Sequence, residues 1–405
     1  MRFLSLILII FSLTGSLTAD SVFSLDGFPE RHYAVDAYSG GAGNASVADV
    51  YRLNAGYENP AVLGNIGRVL FSTSLTFGYY RFDDGISTFS EEGSYSPYFS
   101  IGVPLNNHKI GFSFSPYLSG NFDSRKSVDF PNESNPEGVL KATVINKLHA
   151  NIYKASVLYA YDFNSIKIGL AADYYVGNRM QFYRLDFKDA SYVDNREELD
   201  TDFHGGGFTI GLTKEWEKIA FGFVYDSYAK LSAEQKHITV THQTTQKIND
   251  FELPHGFTFG TTYKITPQLK INTDFSYEMW KDSNVAQDFE DVYSLRGGLA
   301  YDPKWGYGYK WYERIPLRIG GYYKNNYFKT DNNKLFEKAF TCGISIPLST
   351  PDKQIHLGFK YAVRNGRDTD SKDTDTLFTM GVTGFDFFKK RLKRTGHRDI
   401  PKADL

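Results

Sequence analysis

Apolar residues recur at every second position along most of this chain, and that period is what most restricts its fold. Val69, Phe71, Leu75, Phe77 and Tyr79 alternate with Ser72, Ser74, Thr76 and Gly78. Ile110, Phe112 and Phe114 alternate with Gly111, Ser113 and Ser115, and Ile219, Phe221, Phe223 and Tyr225 with Ala220, Gly222 and Asp226. Successive side chains of a strand point to opposite faces, so each segment has one apolar face and one of small residues with scattered charge. A soluble sandwich would place Lys, Glu and Thr on its wet face. A small second face suits the inside of a barrel whose outside meets lipid. The expected fold is all-β, a transmembrane antiparallel β-barrel of about 14 strands, with a soluble sandwich as the alternative. The strands are expected near 67–82, 94–104, 108–121, 149–162, 165–178, 204–216, 217–229, 255–265, 268–280, 291–302, 314–325, 335–347, 353–364 and 376–388.

The start of the chain fits export. "MRFLSLILIIFSLTGSLTA" has an early Arg, a short apolar core and small residues at its end, which reads as a signal peptide over 1–19. No later segment is apolar for the roughly 20 residues that a membrane helix needs, and mean hydropathy is −0.39. Yet the chain holds 29 Tyr, 33 Phe and 36 Gly, a composition that spreads an apolar surface over alternate residues. Cys342 is the sole cysteine, which excludes a disulfide framework and a Cys-based zinc site. A net charge of −2 gives no electrostatic footprint for nucleic acid.

Connections alternate in length. "PLNN", "DFNS", "EWEK" and "ITPQ" are tight turns, and between them lie long polar stretches near 122–148, 179–203 and 230–254, expected as outer loops. The stretch 303–313, "PKWGYGYKWYE", is too long for the tight-turn side on which it falls. The last strand, "TLFTMGVTGFDFF", ends in aromatics, the usual assembly signal of outer-membrane barrels, so barrel-assembly machinery is an expected partner during biogenesis. A basic tail, 389–405, follows and is expected to be disordered in the periplasm.

Two stretches carry a family resemblance. "GGAGNASVADVYRLNAGYENPAVLG" (40–64) has a Gly-rich start, a small-residue run, then Asn59, Pro60, Ala61 and Leu63. "ELPHGFTFGTTYKITPQLKINTDFSYEMW" (252–280) sets Leu253, Pro254, Gly260, Tyr263, Pro267, Asp274, Tyr277 and Trp280 in order. In these the chain resembles the FadL-type outer-membrane transporters of long-chain fatty acids and other hydrophobic compounds. Val62 stands where that family commonly has Gly, and the basic tail is extra. The resemblance implies an N-terminal hatch (20–66) inside a barrel (67–388). It also implies capture of a hydrophobic ligand by outer loops and lateral exit where the third strand kinks. Asn59, Pro60, Ala61 and Leu63 would then form the hatch turn or gate. The setting would be the bacterial outer membrane, with its lipids and lipopolysaccharide as neighbours. FadL-like barrels of the PorV type, which serve secretion, share the same opening motif and supply the alternative function.

Several residues are candidates for the site. Pro116, with Ser115 and Gly120, lies in the third strand and cannot donate to a ladder there, so it marks either a lateral gap or the strand's end at the rim. Arg296, Arg318 and Lys360 fall on the inner face. They could bind a ligand carboxylate, or brace the interior against acids such as Asp274 and Glu278. Asp368, Asp370, Asp373 and Asp375 read as a solvated outer turn rather than a calcium loop, and His237 and His242 as a polar loop rather than a metal site. His149 and His356 are isolated, and no nucleophile elbow, H-E-x-x-H or P-loop occurs. No enzyme activity, metal or cofactor is expected.

Overall fold

The computed structural model describes residues 29–33, 36–83, 88–131, 139–189, 191–283, 288–304, 309–330, 333–348, 352–366 and 372–386. The signal peptide, the basic tail, Asp368 and Asp370 lie outside them. Strand β1 (Glu30–Arg31) is followed by helix α1 (Ala37–Gly40) and a 3-10 turn, η1 (Pro60–Asn65). The wall then runs β2 (Leu70–Asp83), β3 (Thr88–Leu105), β4 (His108–Pro131), β5 (Val139–Phe163), β6 (Ile166–Phe187) and β7 (Asn195–Glu215). It continues through β8 (Ile219–Asp226), β9 (Ala229–Thr239), β10 (Gln243–Leu253), β11 (Gly256–Lys264), β12 (Leu269–Glu278) and β13 (Val292–Tyr301). It ends with β14 (Leu317–Thr330), β15 (Asn333–Pro347), β16 (Lys353–Gly366) and β17 (Lys372–Phe385).

All neighbours pair antiparallel, and β17 returns to β2 from Lys372↔Asp83 to Phe385↔Leu70, which closes the ring. β8 with β9, and β10 with β11, are each one wall strand broken at the same height: β7 pairs with both β8 and β9, and β11 with β8. The barrel therefore has 14 strands. Pro254 and His255 occupy one break, and the Tyr228 N–H donates to the His255 ring at 3.2 Å across it. Each expected span overlaps one wall strand. Hairpins with tight turns bend at Asn106 (φ 57°) and Asn164 (φ 68°), a left-handed conformation that Asn tolerates.

The barrel is inside out relative to a soluble protein. Leu295 is 60% exposed and Arg296, next to it, 5%. The same contrast holds between outward Phe112, Leu170, Phe221 and Phe378 and inward Ser113, Lys154, Asp173 and Asp375. Only lipid makes such an outer face favourable.

The three long polar stretches are a correction. Most of their described residues are ladder and not loop: β4 to β5, β6 to β7 and β9 to β10 stay paired far past the apolar band, with Pro131↔Val139, Leu185↔Asn195 and Gln243↔Ile238 as the outermost pairs. Beyond the bilayer both faces of a strand meet water, so apolar alternation stops while the ladder continues. The long stretch near 303–313 contains a 3-10 turn (Trp311–Arg314) and exposed Tyr309, Trp311 and Tyr312 at the tight-turn end. Aromatics there suit a membrane–water interface.

Candidate functional site: the lumen and the β3–β4 window

Residues 36–66 follow the inner wall in chain order, from β17 back to β3, on a girdle of inward glycines. A Cβ on Gly298 would sit 2.2 Å from the Ala42 carbonyl oxygen, one on Gly222 2.4 Å from that of Val47, and one on Gly169 2.2 Å from Ala61 N. Gly43 has φ +70° and equally no room, its Cβ falling 2.0 Å from the Gly297 oxygen. Backbone meets backbone here, which only glycine permits.

Asn59 holds the turn together. It is extended (φ −134°, ψ 107°), its Oδ1 accepts from Ala61 N at 3.0 Å, and Pro60 opens η1. Its Nδ2 donates to the Val47 carbonyl at 2.8 Å and the Leu212 carbonyl of β7 at 3.4 Å. Ala61 and Leu63 are fully buried. Leu63 packs with Ala55, Ile66, Leu70 and Leu158 against the wall instead of facing a chamber. Asp274 accepts from Ser46 N (2.8 Å) and Val47 N (3.1 Å), Lys270 reaches Asp49 at 3.0 Å, and Arg52 reaches Asp36 at 2.9 Å.

Next towards the long hairpins comes a layer of charge. Arg364 of β16 holds Glu30 (2.8 Å), Glu337 (2.9 Å), Asp373 (2.8 Å) and Asp375 (3.3 Å). Lys324 joins Glu337 at 3.2 Å, and the Tyr322 hydroxyl donates to the same carboxylate. Arg31 holds Glu278 at 2.6 Å and Asp226 at 3.3 Å. Glu30 and Arg31 thus point to opposite sides and span the lumen as a crossbar. A cavity of about 70 Å³ borders it among Glu30, His32, Lys324, Lys360 and Arg364, and another of about 50 Å³ among Tyr33, Glu58, Lys154, Asp226 and Arg296. The first also borders Pro116, Phe359 and Leu377, the second is mainly polar, and both are far below the roughly 300 Å³ typical of a ligand pocket.

Beyond the charges lies an apolar cluster built from Leu118, Ile152, Phe203, Leu231, Leu253, Trp280 and Tyr327 with their neighbours. Trp280 stacks on Tyr327 at 4.0 Å, and its Nε1 donates to Glu278 at 2.9 Å, which ties this layer to the one below.

The seam between β3 and β4 is irregular. β3 and β4 pair only from Leu105↔His108 to Phe99↔Phe114. Past that point β4 bulges between Pro116 and Leu118, and β3 slips register against β2 between Tyr95 and Tyr98. The two strands meet again where Asp123 N–H donates to the Glu91 carboxylate. In the window between, β1 pairs antiparallel with β4, Glu30↔Ser119 and Arg31↔Leu118, and His32 N–H donates to the Tyr117 carbonyl at 2.9 Å. Ser115, Pro116 and Gly120 are buried along this edge.

The three nominated cations are not gathered at one site. Arg296 lies 3.8 Å from Asp274, Arg318 donates to Ser345 at 2.6 Å over the Tyr38 ring, and Lys360 lies 3.9 Å from Asp375. Asp373 and Asp375, expected in a solvated turn, open β17 and are buried against Arg364. Polarity alone hides them, but Asp373 and Asp375 keep the inward parity of Leu377. Arg364 itself was missed, although it shares the parity that singled out Lys360. Glu30 and Arg31 carried no signal, because their partners are hundreds of residues away. His237 pairs with Glu197 at 3.0 Å on the exposed β9–β10 hairpin, away from the lumen. No group of residues that could hold a metal occurs among the described residues.

Solved structures share this fold. A toluene transporter, TbuX, of Ralstonia pickettii matches at 16% identity and TM-score 0.61, over 90% of this chain and 100% of its own. A FadL homologue of Pseudomonas aeruginosa matches at 11% identity and TM-score 0.64, over 89% and 99%. The toluene transporter TodX of Pseudomonas putida matches at 16% identity and TM-score 0.58, over 87% and 97%. The barrel is thus of the FadL type, an outer-membrane fold. No curated protein matches in sequence. The sequence model of the BamG family matches residues 3–372, and this chain belongs to the BamG family.

Proposed function

We propose that this chain is a sealed FadL-type barrel that serves the barrel-assembly machinery of the outer membrane as a membrane-embedded component, and is not a conduit. The observation that carries this reading is the filled lumen. Among the described residues, a hatch seated on glycines, a layer of paired charges and an apolar cluster succeed one another across the lumen. A hydrophobic passenger would have to displace all three, and an apolar cavity needs on the order of 150 Å³ to hold even benzene. The family name, BamG, and its fit to barrel assembly support the same reading. Depletion of the chain is expected to lower the folded levels of other outer-membrane barrels, and the tagged chain to copurify with barrel-assembly components. An unchanged set of outer-membrane barrels after depletion would overturn it.

A second reading is passive transport of hydrophobic small molecules, with hatch movement as the gate and lateral exit through the third wall strand. It is favoured by the broken β3–β4 ladder at Ser115 and Pro116 and by the fold it shares with hydrocarbon channels. On this reading Arg296, Arg318 or Lys360 would meet a ligand carboxylate only after exchanging the partners they now have.

A further inference from the structure

Resting on the assembly reading above, we propose that the β3–β4 window is a strand-accepting seam and that β1 is its resident placeholder. The partner is an extended segment of another membrane β-protein, which pairs antiparallel with the β4 edge over Ser115–Phe122 once β1 withdraws.

Four observations lead there. First, among the described residues the β4 edge pairs with no β3 residue between Phe114 and Asp123, and β1 covers part of it with two residues and the His32 amide. Backbone groups at membrane depth must be paired, so an edge left by β1 draws another strand. Second, β1 is held to the opposite walls by side chains, Glu30 on Arg364 and Arg31 on Glu278. Such contacts can be exchanged, whereas backbone seated on glycines cannot. Third, withdrawal leaves every wall group it touches with a hydrogen-bond partner: Arg364 keeps Glu337, Asp373 and Asp375, Asp226 keeps the Thr209 hydroxyl, and Glu278, which loses its cation, keeps the Trp280 indole. Fourth, both strands of the seam are irregular at this level, β4 by its bulge and β3 by its register slip, so the window is built into the wall. The occupant's chemistry follows from the flanking wall, apolar outward and polar inward. It is the alternating pattern of a transmembrane strand, bound by β-augmentation.

The test uses a synthetic peptide of residues 376–388, TLFTMGVTGFDFF, with benzoylphenylalanine in place of Phe378. The protein is the full chain in lipid nanodiscs, carrying Glu30→Cys and Ser119→Cys with Cys342→Ser. Directly opposed residues of an antiparallel pair lie at a separation a disulfide spans. Reduced protein is expected to crosslink to the peptide within Ser115–Phe122, and oxidised protein to fall to background. Arg31→Ala, which removes the ion pairs of β1 to Glu278 and Asp226 and its contact with the Tyr117 ring of β4 while leaving the β4 backbone edge intact, is expected to raise crosslinking about tenfold or more. Equal labelling in both redox states, labelling elsewhere, or none in the reduced protein or in Arg31→Ala overturns the seam. Depleted cells separate this from the broader reading. If oxidised and reduced variants restore outer-membrane barrels equally, the seam fails and the assembly role stands. If depletion changes no barrel, the assembly role fails, and the peptide result alone decides the seam.

Discussion

The N-terminal segment is attached to the wall in two ways, and the two differ in kind. Around the girdle its backbone touches glycine backbone, with distances that leave no space for a methyl group at Gly169, Gly222 or Gly298. At the window it is a two-residue strand kept by a few hydrogen bonds and by ion pairs to strands across the lumen. The first attachment is steric and has to be made while the barrel closes. The second is electrostatic and can be unmade after closure, since Arg364 keeps three acids and Glu278 keeps the Trp280 indole as a donor. A fixed floor and a releasable crossbar therefore coexist within one short segment.

Substitutions can break each half of that contrast. Gly169→Val and Gly298→Val should have the largest effect. Each forces side-chain atoms into hatch backbone at a site that cannot yield, worth about 3 kcal/mol or more. Loss of the heat-modifiable folded band on gels is the readout, and normal folding would mean that the hatch is not templated by the girdle. Asn59→Ala should cost about 2 kcal/mol, because it removes a cap and leaves the buried Val47 carbonyl unpaired. The barrel should still form, with residues 44–66 newly open to protease. Arg31→Ala should leave the barrel folded but lower its stability by about 1.5 kcal/mol, because Glu278 loses its cation and keeps only a neutral donor. It should raise hydrogen exchange at residues 29–33 alone.

The smallest effect expected is one of pH, outside the membrane. Glu290, in the connection before β13, takes hydrogen bonds from Lys334, Lys281 and Lys329, which hold its carboxyl down at about 2. A group whose folded pKa is depressed stabilises the fold above its unfolded value, near 4.3. That contribution should be complete above about pH 4.5 and fade as pH falls towards 2. Hydrogen exchange at 281–291 and 329–334 should rise over that interval and not between pH 5 and 8. The window, whose contacts lie within the wall, should not follow it.

The same contrast explains what could be read from sequence. The wall was legible, because lipid on one side and lumen on the other impose a period of two on every strand, whether at Phe112–Ser113 or Leu295–Arg296. The reach of β4–β7 and of β9–β10 beyond the membrane was not, since polarity on both faces erases that period while the ladder goes on. The turn at 59–65 was legible through Asn59 and Pro60, whose hydrogen bonding and fixed backbone act locally. Its seat was half legible: the small inner face was plain at Gly111 and Gly222, but not that Leu63 and Val47 would press on it. Arg364 with Glu337 and Asp373 was open to parity, since these are direct cross-strand pairs of consecutive strands, but Glu30 was out of reach, because only the path of the N-terminal segment brings it to them.

The central claim is that the lumen is sealed, and flux tests it most directly. Cells that lack their own fatty-acid channel would be given this chain, folded in the outer membrane, and labelled oleate uptake would be measured against cells without it. The account expects equal uptake in the two strains, and equal uptake again with Arg31→Ala. A rise in uptake that depends on the chain would contradict it and favour the transport reading.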